Sequence, residues 1–249
     1  MSASSQIAYE WKGLPWKRFQ TVTFKLQKRI YRASQRGNLK LVRSLQKLLV
    51  KSQAATHLAV RRVTQENHGK KTAGVDGVKQ LTPPQRLELA KKIHAKPYQK
   101  KAKAVRRVWI PKPGKDEKRP LGIPVMEERA RQALAKLALE PEWEARFEPN
   151  SYGFRPGRSA HDAISYIFTC IRACPKYVLD ADIAKCFDRI NHLTLLEKLN
   201  TYPQMRRTIK SWLQAGILDG SRLFPSEEGA PQGGVITPPT MLQNALFRA

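Results

Sequence analysis

The amino-acid sequence predicts an α+β protein, with a helical, basic N-terminal part followed by β-hairpins and a further strand. Three observations carry this. Apolar residues recur at helical spacing across residues 17–63, Pro/Gly turn chemistry between β-formers occupies 105–124, and an apolar run at 177–182 ends in two carboxylates. With 249 residues, 41% of them hydrophobic, the chain can form one domain or two small ones with real cores.

Charge divides the chain unevenly. The 46 Lys and Arg against 20 Asp and Glu leave a net +26, and 30 of the basic but only 6 of the acidic residues lie in residues 1–120. Such a half calls for a polyanionic partner, because phosphates neutralised by Lys and Arg release condensed counterions. Charge alone fits a ribosomal-type binding protein as well as an enzyme. No stretch approaches the roughly 18 consecutive apolar residues of a membrane span, and residues 1–16 lack a basic and then apolar leader pattern. The expected location is therefore cytoplasmic, with no membrane partner. Three cysteines argue against a disulfide framework, and Cys170 and Cys174, one helical turn apart, have no second Cys/His pair to complete a zinc site.

Residues 17–36 read as an amphipathic helix. Phe19, Val22, Leu26 and Ile30 form its apolar stripe, while Lys25, Arg29, Arg32 and Arg36 recur at spacings of four, three and four on another face. With almost no acid nearby, that row suits a nucleic-acid backbone. Gly37 and Asn38 break the helix; Leu41, Leu45 and Leu48 begin a second, and Ser52 caps a third carrying Ala55, Leu58, Ala59 and Val63. Residues 66–77 form an extended polar loop, and a short helix covers 83–94.

Residues 105–124 read as a hairpin around a Pro-Gly-Lys-Asp turn, with Val108, Ile110 and Lys112 on one face and Arg107 and Trp109 on the other. Lys112 and Arg119, near the tip on opposite arms, make a plausible triphosphate clamp. A helix at 126–139 buries Ala130, Ala133, Leu134, Leu137 and Ala138. The loop 150–159 puts Arg155 and Arg158 beside Tyr152 and Phe154, a surface suited to sugar-phosphate and bases, and leads into a helix with Ala163, Ile164, Ile167, Phe168 and Ile171 in period. In the strand at 177–182, Asp180 and Asp182 point the same way and Phe187 follows in the turn. Carboxylates at a strand end hold divalent metal, and in a basic protein they suggest phosphoryl transfer. Helices near 192–200 and 205–215 and a hairpin at 217–229 lead to GAPQGGV.

Taken in order, RRVWIPKPGKDEKRPLGIP, NSYGFRPGRSAHDAI, LDADIAKCFDRINH and GAPQGGVITP resemble the fingers and palm of group II intron reverse transcriptases, also called maturases. The resemblance implies an RNA-directed DNA polymerase built as a right hand: a basic N-terminal extension over 1–65, fingers over 66–175 and a partial palm with an incomplete antiparallel sheet over 176–249. It makes Asp182 the first catalytic, metal-binding aspartate, with the Ile183 carbonyl as a further ligand to Mg²⁺. Phe187 becomes the aromatic that excludes a 2′-hydroxyl. Lys112 and Arg119 become triphosphate contacts, and Gln232 packs near the incoming nucleotide. The Arg155 and Arg158 loop touches template and primer, and the helix 17–36 grips template RNA. Its implied partners are group II intron RNA, an RNA template with DNA primer, and a dNTP.

The resembling family continues to a Tyr-Ala-Asp-Asp hairpin, and the 249 residues contain no adjacent Asp-Asp pair. The expectation is a truncated enzyme with weak or absent Mg²⁺ binding, inactive alone unless a separately encoded C-terminal fragment supplies the missing aspartates. Uncovered palm strands are expected to leave apolar surface exposed. A rival of another class is a noncatalytic RNA-binding maturase-like splicing factor. A second rival, a nucleotide-sugar transferase using Asp180-Ala-Asp182 as a DxD, has no legible sugar pocket.

Overall fold

The structure, a computed structural model, describes residues 10–111, 114, 116–181, 188–226 and 228–229. Three helices open the chain: α1 (Trp16–Gln35), α2 (Leu39–Val50) and α3 (Gln53–Arg61). The predicted breaks are where the caps are. Asn38 accepts a hydrogen bond from the Leu41 amide at 3.0 Å, and Ser52 accepts from Ala55 at 3.4 Å, so each side chain satisfies an amide that the helix cannot. Helix α3 runs on as a π-helical turn (Arg62–Glu66) and a 3-10 turn (His68–Lys71). Helix α4 (Pro83–Ala95) starts from a Thr82/Gln85 capping box with Pro83 in its first turn, where the missing N–H costs nothing.

Strands β1 (Val105–Pro111) and β2 (Lys118–Ile123) form the predicted hairpin, with Ile110 opposite Arg119 and Pro111 opposite Lys118. The second hairpin is shorter than the reading of 217–229: β3 (Ile217–Asp219) and β4 (Arg222–Phe224) meet across a two-residue turn in which Gly220 takes φ +59°. The two hairpins join through a parallel pairing of Val105 with Ile217 and Arg106 with Leu218, giving one small mixed sheet in the order β2-β1-β3-β4. The expected antiparallel palm sheet is not what these strands build.

Helix α5 (Met126–Glu144) extends past the predicted end at Leu139 and keeps Pro141 inside it. Proline removes the amide that would bond the carbonyl four residues earlier. Here Gln27 of α1 donates its Nε2 to that Leu137 carbonyl at 3.0 Å, so the orphan is satisfied from a neighbouring helix. Helices α7 (His192–Leu199) and α8 (Pro203–Leu213) complete the packing. One continuous core joins α1 to α5 with α7 and α8: Ile30, Leu49, Ile93, Leu134, Leu139, Leu196 and Trp212 all lie in it. The face α1 gives to this core differs from the predicted stripe: Thr23, Ile30, Ala33 and Ser34 are buried, while Val22 is exposed.

Polar groups tie the same elements together. The fully buried Glu142 carboxylate accepts from Arg43, from Gln46 Nε2 at 2.7 Å and from Arg146 at 2.9 Å, and Arg43 also donates to the Asn200 carbonyl that ends α7. Glu128 accepts from Trp212 Nε1 at 2.8 Å and from Gln99, docking α8 on α5.

Two predicted elements behave differently. Helix α6 (Ala160–Ile171) forms, starting from a Ser159/Asp162 capping box, but none of its residues is buried; Ile164 and Phe168 are 63% and 61% exposed. Its apolar period is real, and among the described residues Tyr152 meets it only at Tyr166, 6.2 Å between ring centres, without burying a side chain. The strand expected at 177–182 is absent over its described part, 177–181, where Tyr177, Val178 and Leu179 are exposed. β-propensity yields a strand only when a neighbour supplies the ladder, and no strand pairs there among the described residues. Among the described residues no helix is long and apolar enough to cross a membrane.

Candidate nucleic-acid interface

The basic row of α1 survives intact. Lys25, Arg29, Arg32 and Arg36 are all exposed, and none makes an ion pair among the described residues. The helix is held from the opposite side by its packing on α2, α3 and α5, so the cations project from a rigid rod. Steps of 1.5 Å per residue place the first and last of the four about 16 Å apart, a span over which a nucleic-acid strand presents several phosphates.

Beside this bundle, residues 66–77, expected as an extended loop but opening with the 3-10 turn His68–Lys71, are pinned by a residue with no pattern signature. Arg129, buried at the start of α5, donates to the carbonyls of Pro124 at 2.7 Å, Gly69 at 2.8 Å and Thr72 at 2.6 Å. Burial pulls its guanidinium below the usual arginine range, and the nearby Asp76 opposes that. Gly74 lies so close to the next segment that a Cβ would come within 2.7 Å of the Val125 backbone, which makes glycine obligatory. The result is a fixed loop that displays Lys71 on the basic half, while Lys70, half-buried, turns its Nζ onto the Gln65 carbonyl.

At the sheet, Arg119 is exposed on β2 opposite Ile110, near the hairpin tip. Its partner in the predicted clamp, Lys112, lies outside the described residues. Arg107 and Trp109 share a face as the period of two requires: the guanidinium sits 5.6 Å from the Trp109 ring and 5.8 Å from Phe224, and pairs with Asp219 at 3.4 Å.

The two arginines of loop 150–159 part company. Arg158 is exposed, 5.5 Å from the Tyr152 ring, and is available to a phosphate. Arg155 is buried: it grips the Glu144 carboxylate at 2.6 Å, donates to the carbonyls of Glu148 at 2.7 Å and Ser151 at 2.8 Å, and lies 4.7 Å from Phe147. A guanidinium has five N–H donors, and these bonds occupy four of them, so Arg155 is placed to shape the loop that presents Arg158.

The residues read as catalytic or nucleotide-binding around the metal, Asp182, Ile183 and Phe187, lie outside the described residues, as does Gln232. Asp180 is described and exposed. Among the described residues no group of three or more His, Cys, Asp or Glu could hold a metal ion.

Comparison with known proteins places this geometry. Residues 11–93 match the N-terminal domain of reverse transcriptase, and residues 110–245 match reverse transcriptase (RNA-dependent DNA polymerase). The chain is similar to Protein YkfC of Escherichia coli, 34% identical over 201 residues that cover 75% of this chain and 51% of that protein. It is similar to Group II intron-encoded protein LtrA of Lactococcus lactis subsp. cremoris, 36% identical over 137 residues, 54% of this chain and 23% of that one. It is also similar to Maturase-like protein 1 of Euglena gracilis, 31% identical over 230 residues, 90% of this chain and 48% of that one. The chain thus spans about half the length, or less, of these relatives.

Proposed function

The chain belongs to the reverse transcriptase family, of the kind represented by group II intron-encoded proteins and maturases, and from that premise we propose that it binds intron RNA and a template–primer through its N-terminal basic face. The observation that carries this is the row Lys25, Arg29, Arg32 and Arg36: four exposed cations without ion pairs among the described residues, on a helix within the matched N-terminal domain. Arg158 extends the backbone contacts toward the palm segment. In the same reading, Lys112 and Arg119 receive the triphosphate of a dNTP, Phe187 selects against the 2′-hydroxyl and Gln232 packs near the incoming nucleotide.

Asp182, with the Ile183 carbonyl, is the proposed holder of Mg²⁺. Mg²⁺ bound there supplies activation of the primer 3′-hydroxyl and charge neutralisation at the leaving pyrophosphate. A single aspartate is a poor platform for two such ions, because their mutual repulsion needs several carboxylates to offset it. RNA binding by the α1 row uses none of these carboxylates, so it should persist when Asp182 is changed. The cationic row also fits a second reading, an RNA-holding splicing factor, since holding RNA needs no metal. Primer extension on an RNA template with dNTPs and Mg²⁺, run beside Asp182→Ala, tests the assignment. Extension that is lost in the variant would support Asp182 as the holder of Mg²⁺, and extension unchanged by it would overturn that assignment.

A further inference from the structure

Helix α1 carries a second row that the cationic face does not use. Gln20, Thr21, Phe24 and Gln27, with Leu58 of α3 and Leu137 of α5, line an open groove of about 400 Å³. Its chemistry is mixed in a particular way. Phe24 is 57% exposed, an aromatic ring set at a groove rather than in a core. Leu58 and Leu137 supply apolar wall. Gln20 makes no hydrogen bond among the described residues, and Gln27 spends its Nε2 on the Leu137 carbonyl, leaving Oε1 as an acceptor. Thr23, in the same lining, is buried with no partner for its hydroxyl among the described residues.

The surroundings of the groove are cationic. Lys28 Nζ sits 5.1 Å from the centre of the Phe24 ring. Lys17 lies seven residues before Phe24 and Lys28 four after, so at about 100° per residue the three fall on one strip of the helix. That strip runs between the groove and the row Lys25, Arg29, Arg32 and Arg36. A ligand seated at Phe24 therefore has positive charge at its edge and a cationic track leading away from it. An apolar peptide side chain would leave the glutamine amides unused and gain nothing from the lysines. A flat aromatic group with a polar edge, attached to a phosphate, uses all of them.

We propose that this groove receives one unpaired nucleobase of the RNA held by α1, stacked on Phe24, edged by the Gln20 and Gln27 amides, with its phosphates on Lys17 and Lys28. The proposal rests on the reading of α1 as an RNA-binding face. It makes the N-terminal domain a reader of single-stranded RNA, since a base locked in a duplex cannot enter.

The test uses the full 249-residue chain, with fluorescence anisotropy on a single-stranded RNA and on an RNA duplex of equal length at one salt concentration. Phe24→Ala is expected to weaken single-strand binding by about 5- to 140-fold, the range produced by losing one base–aromatic stack. It should leave duplex binding within about two-fold, because phosphate contacts are untouched. Phe24→Trp should restore the preference. An unchanged single-strand affinity, or equal losses on both RNAs, overturns the base site. The α1 reading fails separately, if reversal of Lys25, Arg29, Arg32 and Arg36 leaves binding to both RNAs as it was.

Discussion

Glu142 is the point at which removing one group should most damage the scaffold behind the RNA face. Its carboxylate is 0% exposed and accepts from Arg43 and Gln46 of α2 and from Arg146, two residues past the end of α5. Glu142→Ala strips the acceptor from Gln46, itself fully buried, and leaves the Arg43 guanidinium, 15% exposed, facing an empty site. Breaking a buried pair from one side costs about 3–5 kcal/mol. Arg43 keeps the Asn200 carbonyl and Gln46 Oε1 as acceptors, which draws its share toward the lower end. The orphaned Gln46 amide adds about 1 kcal/mol. A loss of about 4 kcal/mol is expected, or a fall in Tm of about 8–16 °C for a chain of this size. Urea and thermal unfolding followed by circular dichroism measure it, and a double-mutant cycle with Arg43→Met separates the pair from the rest. Glu142→Gln, which keeps an acceptor for Gln46, should lose about half as much. A cost below about 1 kcal/mol for Glu142→Ala, or no coupling to Arg43, would refute the view that this network holds α2 to α5.

Other outcomes follow from buried charge. Burial raises the Glu128 carboxyl above its ordinary 4.5, against the opposing hydrogen bonds from Trp212 and Gln99. A raised carboxyl binds more proton folded than unfolded, so stability falls as pH climbs from about 4.5 through the raised value. Glu128→Gln keeps an oxygen for Trp212 and should flatten that decline in unfolding curves taken between pH 4.5 and 7; equal slopes in both proteins would count against it. Arg155→Ala should destabilise by about 2–4 kcal/mol, since it removes the donors that the Glu144 carboxylate and two carbonyls share. Arg158→Ala should leave thermal unfolding unchanged and weaken RNA binding, which would be contradicted by a matching loss of stability.

The parts of the fold legible in the sequence are those set by local chemistry. Ser52 caps a helix where expected, Asn38 caps one at the predicted break, and the 105–124 segment pairs its two arms as the predicted hairpin. What escaped depends on partners distant in the chain. The parallel pairing of Val105 with Ile217 leaves no trace in either strand's own pattern. The period of α6 marks an apolar face but says nothing of what covers it. The Val22 assignment failed because Thr23 and Ser34 turn inward, Ser34 donating to the Glu142 carbonyl at 2.9 Å. One signal was readable and unused: Pro141 inside a helix implies an orphan carbonyl at Leu137, and hence a donor such as Gln27. For the site, charge spacing sufficed to find the α1 row, because exposed cations need no partner. Arg155 had the same residue type and surroundings as Arg158, and only the position of Glu144 tells them apart.

The most direct test of the central claim is the salt dependence of RNA binding with Lys25, Arg29, Arg32 and Arg36 all changed to Glu. On a single strand each neutralised phosphate contributes about 0.7 to the slope of log affinity against log salt, so losing four should reduce that slope by about 3. Between 50 and 200 mM salt the unaltered protein should then lose about fifty-fold more affinity than the variant. Far-UV circular dichroism should show both proteins equally folded, since none of the four is buried. That result would establish α1 as the RNA-holding face. Equal slopes and equal affinities in two folded proteins would contradict it.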